Sequence, residues 1–239
     1  MLVSEIRRFP IKSLLGERLD TVAVDGRGLA GDRLWAVRDA DGKFGSGKNT
    51  RRFRRIPGLF DLRGRLIDSA HAEVELPDGR RYRDDDSAGH AAVSQHLGRD
   101  VTITREADVL HHDEGPVSVI TTARLRHVSS LLGAPVEALR FRANLLIDAD
   151  GREPVEDGWL ERALSVGPDL ILRVRRRLTR CVMIDMAQDE VPEHGRILRT
   201  LSEHNDLMFG VWATVERPGV VAVGDEARLL DGFPTDARR

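Results

Sequence analysis

The chain has a single cysteine, Cys181, in 239 residues. One cysteine closes no internal disulfide and supplies no Cys-x-x-Cys metal clasp. Aromatic residues are scarce at 5%, with one tyrosine, Tyr82. Lysine is nearly absent: Lys12, Lys43 and Lys48 are the whole set, and arginine supplies the rest of the 37 cations. No run of about 18 apolar residues occurs, so no membrane-spanning helix is expected. The opening MLVSEIRRFPIKS meets charge at once and lacks the apolar core of a secretory leader. Neither charge sign dominates, because 39 acidic residues leave a formal net charge of −2. That balance argues against bulk attraction to nucleic acid or an anionic membrane. The lone thiol fits a reducing, cytoplasmic setting.

What is present is ordinary for a globular chain: 41% hydrophobic and 32% charged residues, enough to build a core. Short apolar stretches such as LVSEIRRF, LDTVAVD and RLWAVRD are punctuated by Asp25-Gly26 and Asp41-Gly42, which predicts strands and turns. GSGKNTRRFRRIPGLF reads as a basic, glycine-punctuated loop. GRLIDSAHAEVELPDGRRYRD reads as a hairpin turning at Pro77-Asp78-Gly79. A short helix is predicted over 87–98, capped by Ser87 and ended by Gly98. A second runs through TTARLRHVSSLLG, with Leu125, Val128, Leu131 and Leu132 at helical spacing. FRANLLID, LILRVRRRL and VMID read as strands, and GRILRTLSEHN as a helix. FGVWATVERPGVVAVGDEARLL reads as two strands joined by a Pro-Gly turn. The expected class is α+β, mainly β, with a barrel-like core. The expected division is residues 1–85 as a β-rich front domain and 86–239 as the second domain.

Cys181 follows the basic stretch RVRRRLTR. A lone cysteine is usually a small buried hydrophobe. Nearby positive charge instead favours the thiolate, the nucleophilic and metal-ligating form. Strand alternation allows only some of Arg173, Arg175, Arg176, Arg177 and Arg180 to sit beside it; the plain role of the others is a solvated face. His111-His112-Asp113 has no zinc-site spacing. A Cys–His pair stays open, with nothing to choose among eight histidines. Lys12 and Ser13, in PIKS, end a strand and can present an ammonium and a hydroxyl to a phosphate, although the Walker glycines are absent. Arg33, in GLAGDRLW, reads as an anion-binding arginine or half of an internal ion pair with Asp32. Arg140, Arg142 and Asn144 in RFRAN fall on one strand face at period two, either a polar pocket or an exposed edge.

Taken in order, these pieces resemble the MOSC family, the molybdenum-cofactor sulfurase C-terminal domain, preceded by that family's N-terminal β-barrel domain. The chain is similar to the bacterial and mitochondrial amidoxime-reducing proteins. The front pieces are FPIKS and GLAGDRLW. The back pieces are DEGPVSVITTARL, RFRANLLID, EDGWLERALSVG, TRCVMID and GVVAVGDEARLL. The resemblance implies a molybdenum cofactor, molybdopterin with its metal, held between the two parts. It implies Cys181 as the metal ligand, with Lys12, Ser13, Arg33, Thr121 or Thr122, Arg140, Arg142, Asn144 and Arg180 around the pterin and its phosphate. A soft thiolate suits a sulfur-rich metal centre, and arginine suits a phosphate. The implied activity is reduction of N-hydroxylated small molecules. The alternative is a carrier that holds persulfide sulfur on Cys181 or delivers the cofactor. A family-level association with pyridoxal phosphate also travels with the resemblance. Two departures stand out. EVPEHGRILRTL replaces the Pro-x-Thr-Gly turn common after the cysteine, leaving substrate preference open. The four cysteines of a [2Fe–2S] domain are missing, so electrons are expected from a separate ferredoxin- or flavoprotein-type donor.

Overall fold

The computed structural model describes residues 1–230; the end of the expected second domain, 231–239, lies outside the described residues. In chain order the strands are β1 (Leu2–Arg8), β2 (Ile11–Lys12), β3 (Glu17–Leu19), β4 (Thr21–Asp25), β5 (Gly28–Leu29), β6 (Trp35–Asp39), β7 (Phe44–Ser46) and β8 (Phe53–Arg55). Next come β9 (Arg63–Leu66), β10 (Ala72–Glu75), β11 (Arg81–Arg83), helix α1 (Ser87–Leu97), β12 (Val101–Arg105) and β13 (Val117–Thr121). Helix α2 (Thr122–Leu132), β14 (Leu145–Asp148), β15 (Ala163–Val166), β16 (Leu170–Thr179), helix α3 (Ile197–Asn205), β17 (Met208–Arg217), β18 (Gly219–Ala222) and β19 (Ala227–Leu230) complete the described chain.

The fold is mainly β, as expected. Eight strands form a half-barrel in the order β19-β15-β16-β17-β13-β14-β1-β3. Only β13 and β14 run parallel in it, which requires the crossover supplied by α2 and a 3-10 turn at Ala138–Phe141. The front half builds a sheet around β6, flanked by β12, β7 and β2. A separate meander, β9-β10-β11, packs on the same core, where Ile11, Trp35, Val74 and Val93 meet. Helix α1 and β12 lie past residue 85, yet they pack into this front core through Val93, Leu97 and Ile103.

Local chemistry explains most element ends. Helix α1 is capped by Asp86, not by Ser87: its carboxylate accepts from the Ala88 N–H, which Ser87 as the first helical residue cannot do. Thr121 caps α2 by accepting from the Arg124 N–H, and Gly133 closes that helix at φ 70°. On α2, Val128 and Leu132 are buried, whereas Leu131 is 41% exposed. Three readings of the sequence are corrected. VMID is a 3-10 turn at Val182–Ile184, because the chain must leave the sheet there. The last strands do not make a Pro-Gly hairpin; β18 pairs with β4, with Val221 opposite Val22. Residues 141–144 are not strand, and β14 begins at Leu145. Among the described residues, no helix is long and apolar enough to cross a membrane.

Candidate functional site

A cavity of about 290 Å³ opens where the front sheet meets the half-barrel. Lys12, Ser13, Arg33, Arg140, Arg142, Asn144, Arg180 and Cys181 all line it. Thr121 and Thr122 do not. Thr121 is fully buried and donates to Glu156 Oε2 at 2.8 Å, inside a network where Arg124 Nε meets Glu156 Oε1 at 3.1 Å. Thr122 donates to Asp148 at 2.7 Å. Both threonines fasten α2 to the fold and stand apart from the cavity.

The front wall is built from charges that have partners. Lys12 ends β2, whose parallel pairing with β6 buries it to 3% exposure. Its Nζ donates to the His111 carbonyl at 2.8 Å and to Asp113 Oδ1 at 2.5 Å. Burial lowers its pKa to about 8, with Asp113 pulling the other way. Ser13 takes φ 69° and donates to the Gly45 carbonyl at 2.7 Å. Arg33, at φ 50°, donates to the fully buried Asp32 at 2.5 Å and to the Arg142 carbonyl at 3.0 Å. Asp32 is held in turn by the Phe9 N–H at 2.8 Å.

The back wall differs. Arg142 is the left-handed residue, φ 50°, that ends the 3-10 turn after Ala138. Its guanidinium lies 4.2 Å from the Phe9 ring centroid and 5.0 Å from that of Phe60. Burial, and then Arg33 nearby, lower its pKa to about 9. Arg180 leaves β16 and donates to the carbonyls of Phe209 at 2.8 Å and Phe141 at 2.9 Å. Burial lowers its pKa to about 10. Arg142 Nη1 and Arg180 Nη2 are buried without a hydrogen-bond partner among the described residues. Such orphaned donors are rare in folded proteins, and a buried cation without an anion is costly. Cys181 follows at once, half-buried, its carbonyl accepting from the Ile184 N–H.

Two of the lining residues are committed elsewhere. Arg140, 1% exposed, spends its guanidinium on Glu137 at 2.7 Å, the Pro192 carbonyl at 2.8 Å and the Ile184 carbonyl at 3.5 Å. It straps down the turn that Cys181 opens. Asn144 Oδ1 accepts from the Ser118 N–H and hydroxyl, and its Nδ2 donates to the Arg7 carbonyl. It ties β1 and β13 together. The period-two reading put Arg140, Arg142 and Asn144 on one face; the 3-10 turn separates them instead.

The structure also adds residues that sequence reasoning passed over: Lys48, Arg52, Phe53, Asp113 and Trp212. The rarity of lysine was the one available signal for Lys48. Trp212 reaches the wall because residue 115 is glycine; a Cβ there would stand 2.1 Å from the indole. Among the described residues that line the cavity with Cys181 there is no histidine. His111 and His112 are buried, and burial lowers both to about 4, so they are neutral at physiological pH.

Residues 1–104 match the family model of the MOSC N-terminal beta barrel domain, and residues 106–228 match that of the MOSC domain. Mitochondrial amidoxime-reducing component 1 of Mus musculus is 28% identical over 135 residues, covering 51% of this chain and 38% of that protein. The Homo sapiens protein of the same name is 27% identical over 135 residues, covering 51% and 39%. The match therefore spans well under half the length of either relative. The solved YuaD protein of Bacillus subtilis shares the fold, with a TM-score of 0.52 at 14% identity over 95% of this chain and 93% of that one.

Proposed function

Because the chain belongs to the MOSC family, we propose that this cavity holds a molybdenum cofactor and reduces N-hydroxylated small molecules. Family and relatives support a molybdenum-cofactor-related function; the substrate class and the ligation by Cys181 are our reading. The observation that carries it is the convergence of two orphaned buried guanidinium nitrogens and a half-buried thiol on one cavity.

The residues fit such a group. Arg142 Nη1 and Arg180 Nη2 lack only an anionic acceptor, and a phosphate supplies one. Cys181 offers a soft thiolate to a soft-ligand metal. Lys12 and Ser13 provide an ammonium and a hydroxyl on the opposite wall, and Arg33 is oriented there by Asp32. Arg140 and Asn144 act as positioning residues, one through the turn after Cys181 and the other through the β1–β13 join. When bound, the cofactor supplies a two-electron redox centre with oxygen-atom-transfer chemistry. The chain's part is to bind it, orient it and hold protons nearby: Lys12 keeps a proton at Nζ up to about pH 8. Electrons come in this reading from a separate ferredoxin- or flavoprotein-type donor, in the reducing cytoplasm. Pyridoxal phosphate plays no part in it.

The test is expression with molybdate, followed by metal and pterin analysis. Stoichiometric molybdenum and pterin are expected, with turnover of benzamidoxime by reduced methyl viologen. Cys181→Ala should lose the metal and keep the far-UV spectrum of the parent. Protein free of both metal and pterin would sink the reading. Labelled sulfur on Cys181 without turnover would make the chain a sulfur carrier instead.

A further inference from the structure

The rim of the cavity carries cations that neither wall uses. Lys48 lines the cavity and is exposed, which places it at the opening. Gly47, just before it, presses on the turn after Cys181: a Cβ on Gly47 would lie 2.9 Å from the Met183 side chain and 3.3 Å from that of Val182. Lys48 therefore follows a residue packed on the thiol's own turn. Arg52 faces the same ring as Lys48. The Phe53 centroid is 5.3 Å from Lys48 Nζ, 5.6 Å from the Arg52 guanidinium carbon and 5.6 Å from Lys12 Nζ.

Of these three cations, Lys12 alone has a carboxylate partner among the described residues, Asp113. Arg52 gives Nη2 to the carbonyls of Leu110 at 2.7 Å and His112 at 3.2 Å, which locks its plane. Among the described residues its Nε is buried with no acceptor, and its Nη1 makes no hydrogen bond. Among the described residues neither Lys48 nor Arg52 forms a salt bridge. The whole chain is slightly acidic, so this surplus is local. A guanidinium fixed by two carbonyls, with its unbonded Nη1 not enclosed by the fold, next to a mobile-stemmed ammonium, matches a carboxylate: one oxygen on Arg52 Nη1, the charge shared by Lys48. The Phe53 ring between them gives a flat apolar face on which a substrate ring can lie.

We propose that Lys48 and Arg52 form an anion clamp at the rim that selects substrates carrying a carboxylate remote from the reacting N–O group. The clamp rests on the reading of the cavity as a reductase site and narrows its substrate class.

Three probes test it: benzamidoxime, 4-carboxybenzamidoxime and 4-(aminomethyl)benzamidoxime. Binding is read by calorimetry on molybdenum-loaded protein, and turnover by viologen oxidation. The carboxylate should bind about tenfold tighter than the neutral parent, the scale of one charge-assisted hydrogen bond. The advantage should sit in KM and shrink with added salt. Lys48→Glu should reverse the order in favour of the aminomethyl compound while keeping molybdenum and pterin content. Equal binding of all three probes by the parent protein overturns the clamp. Loss of pterin in Lys48→Glu overturns it too, because the residue would then serve the cofactor. Charge-selective binding with no turnover of any probe leaves the clamp standing and breaks the reductase reading instead.

Discussion

The two walls of the cavity hold similar numbers of cations and treat them in opposite ways. On the front wall Lys12 is paired with Asp113 and Arg33 with Asp32. On the back wall Arg142 and Arg180 lean on aromatic rings and carbonyls; among the described residues neither has a carboxylate in salt-bridge reach, and each keeps a buried donor without a partner. Burial depresses both back-wall guanidinium groups, to about 9 and about 10. A paired charge is stabilised by the fold before any ligand arrives, whereas an unpaired buried one is stabilised only when an anion arrives. The left-handed backbone at Ser13, Arg33 and Arg142 belongs to the same picture, since strained residues of this kind collect where a site is pre-set.

The largest expected effect separates the walls by pH. His111 and His112 sit behind the front wall, and their folded pKa of about 4 lies below the ordinary value of 6.5. The unfolded chain therefore binds more protons between pH 6.5 and 4, and stability falls as the solution is acidified through that window. The loss is on the order of 3 kcal/mol for each histidine. Urea melts at pH 6.5, 5.5 and 4.5 measure it, and His111→Gln with His112→Gln should flatten the dependence. An unchanged slope in that double variant would break the comparison on the front side.

Next come two arginines separated by one residue. Arg140→Ala removes three hydrogen bonds from a buried strap and should cost about 3 kcal/mol by thermal or urea unfolding. Arg142→Ala removes an unpaired buried charge, so the ligand-free protein should melt no lower than its parent. The same variant should bind cofactor more weakly by roughly 30-fold, the scale of a lost charge-assisted bond. Equal destabilisation by both substitutions would mean that the back wall is ordinary structure. The smallest effect is on the outer face of β16: Arg175→Ser breaks a pair with Glu161 that is 41% and 65% exposed. Unfolding free energy should move by less than about 0.5 kcal/mol.

Alternating apolar residues made the strands readable, and cap chemistry made the helices readable. Local patterns carried less where the backbone departs from a regular period. RFRAN alternates like a strand, but the left-handed Arg142 breaks the alternation that would have aligned its polar groups. RVRRR was expected to divide between site and solvent by strict alternation. Bulges in β16 between Val174 and Arg176, and between Arg177 and Thr179, instead leave Arg175 and Arg176 both exposed. Asn144 shows a different limit. Its residue type suits a pocket, yet its Oδ1 and one Nδ2 hydrogen are taken by Ser118 and Arg7, partners 26 and 137 positions away. Arg52 was visible only as part of a basic loop, and Lys48 beyond that only as one of three lysines, because their relation to the Cys181 turn exists only after the two halves meet.

That meeting is an exchange of strands. The front half lends β1 to the long sheet, where Val3 faces Ile147, and the back half lends β18 to β4, where Val221 faces Val22. Val3, Val22, Val119, Leu172 and Val221 share one core. Neither half can complete its own sheet, so separate expression of 1–105 and 106–230 should yield fragments that aggregate through unpaired edges unless they are refolded together. Pairing of residues some 140 to 200 positions apart makes this a chain of high contact order, expected to fold slowly and to melt in a single step. The clasp also sets assembly order: the two walls come into register only once both lent strands are seated, so a half-folded chain has no cavity to load.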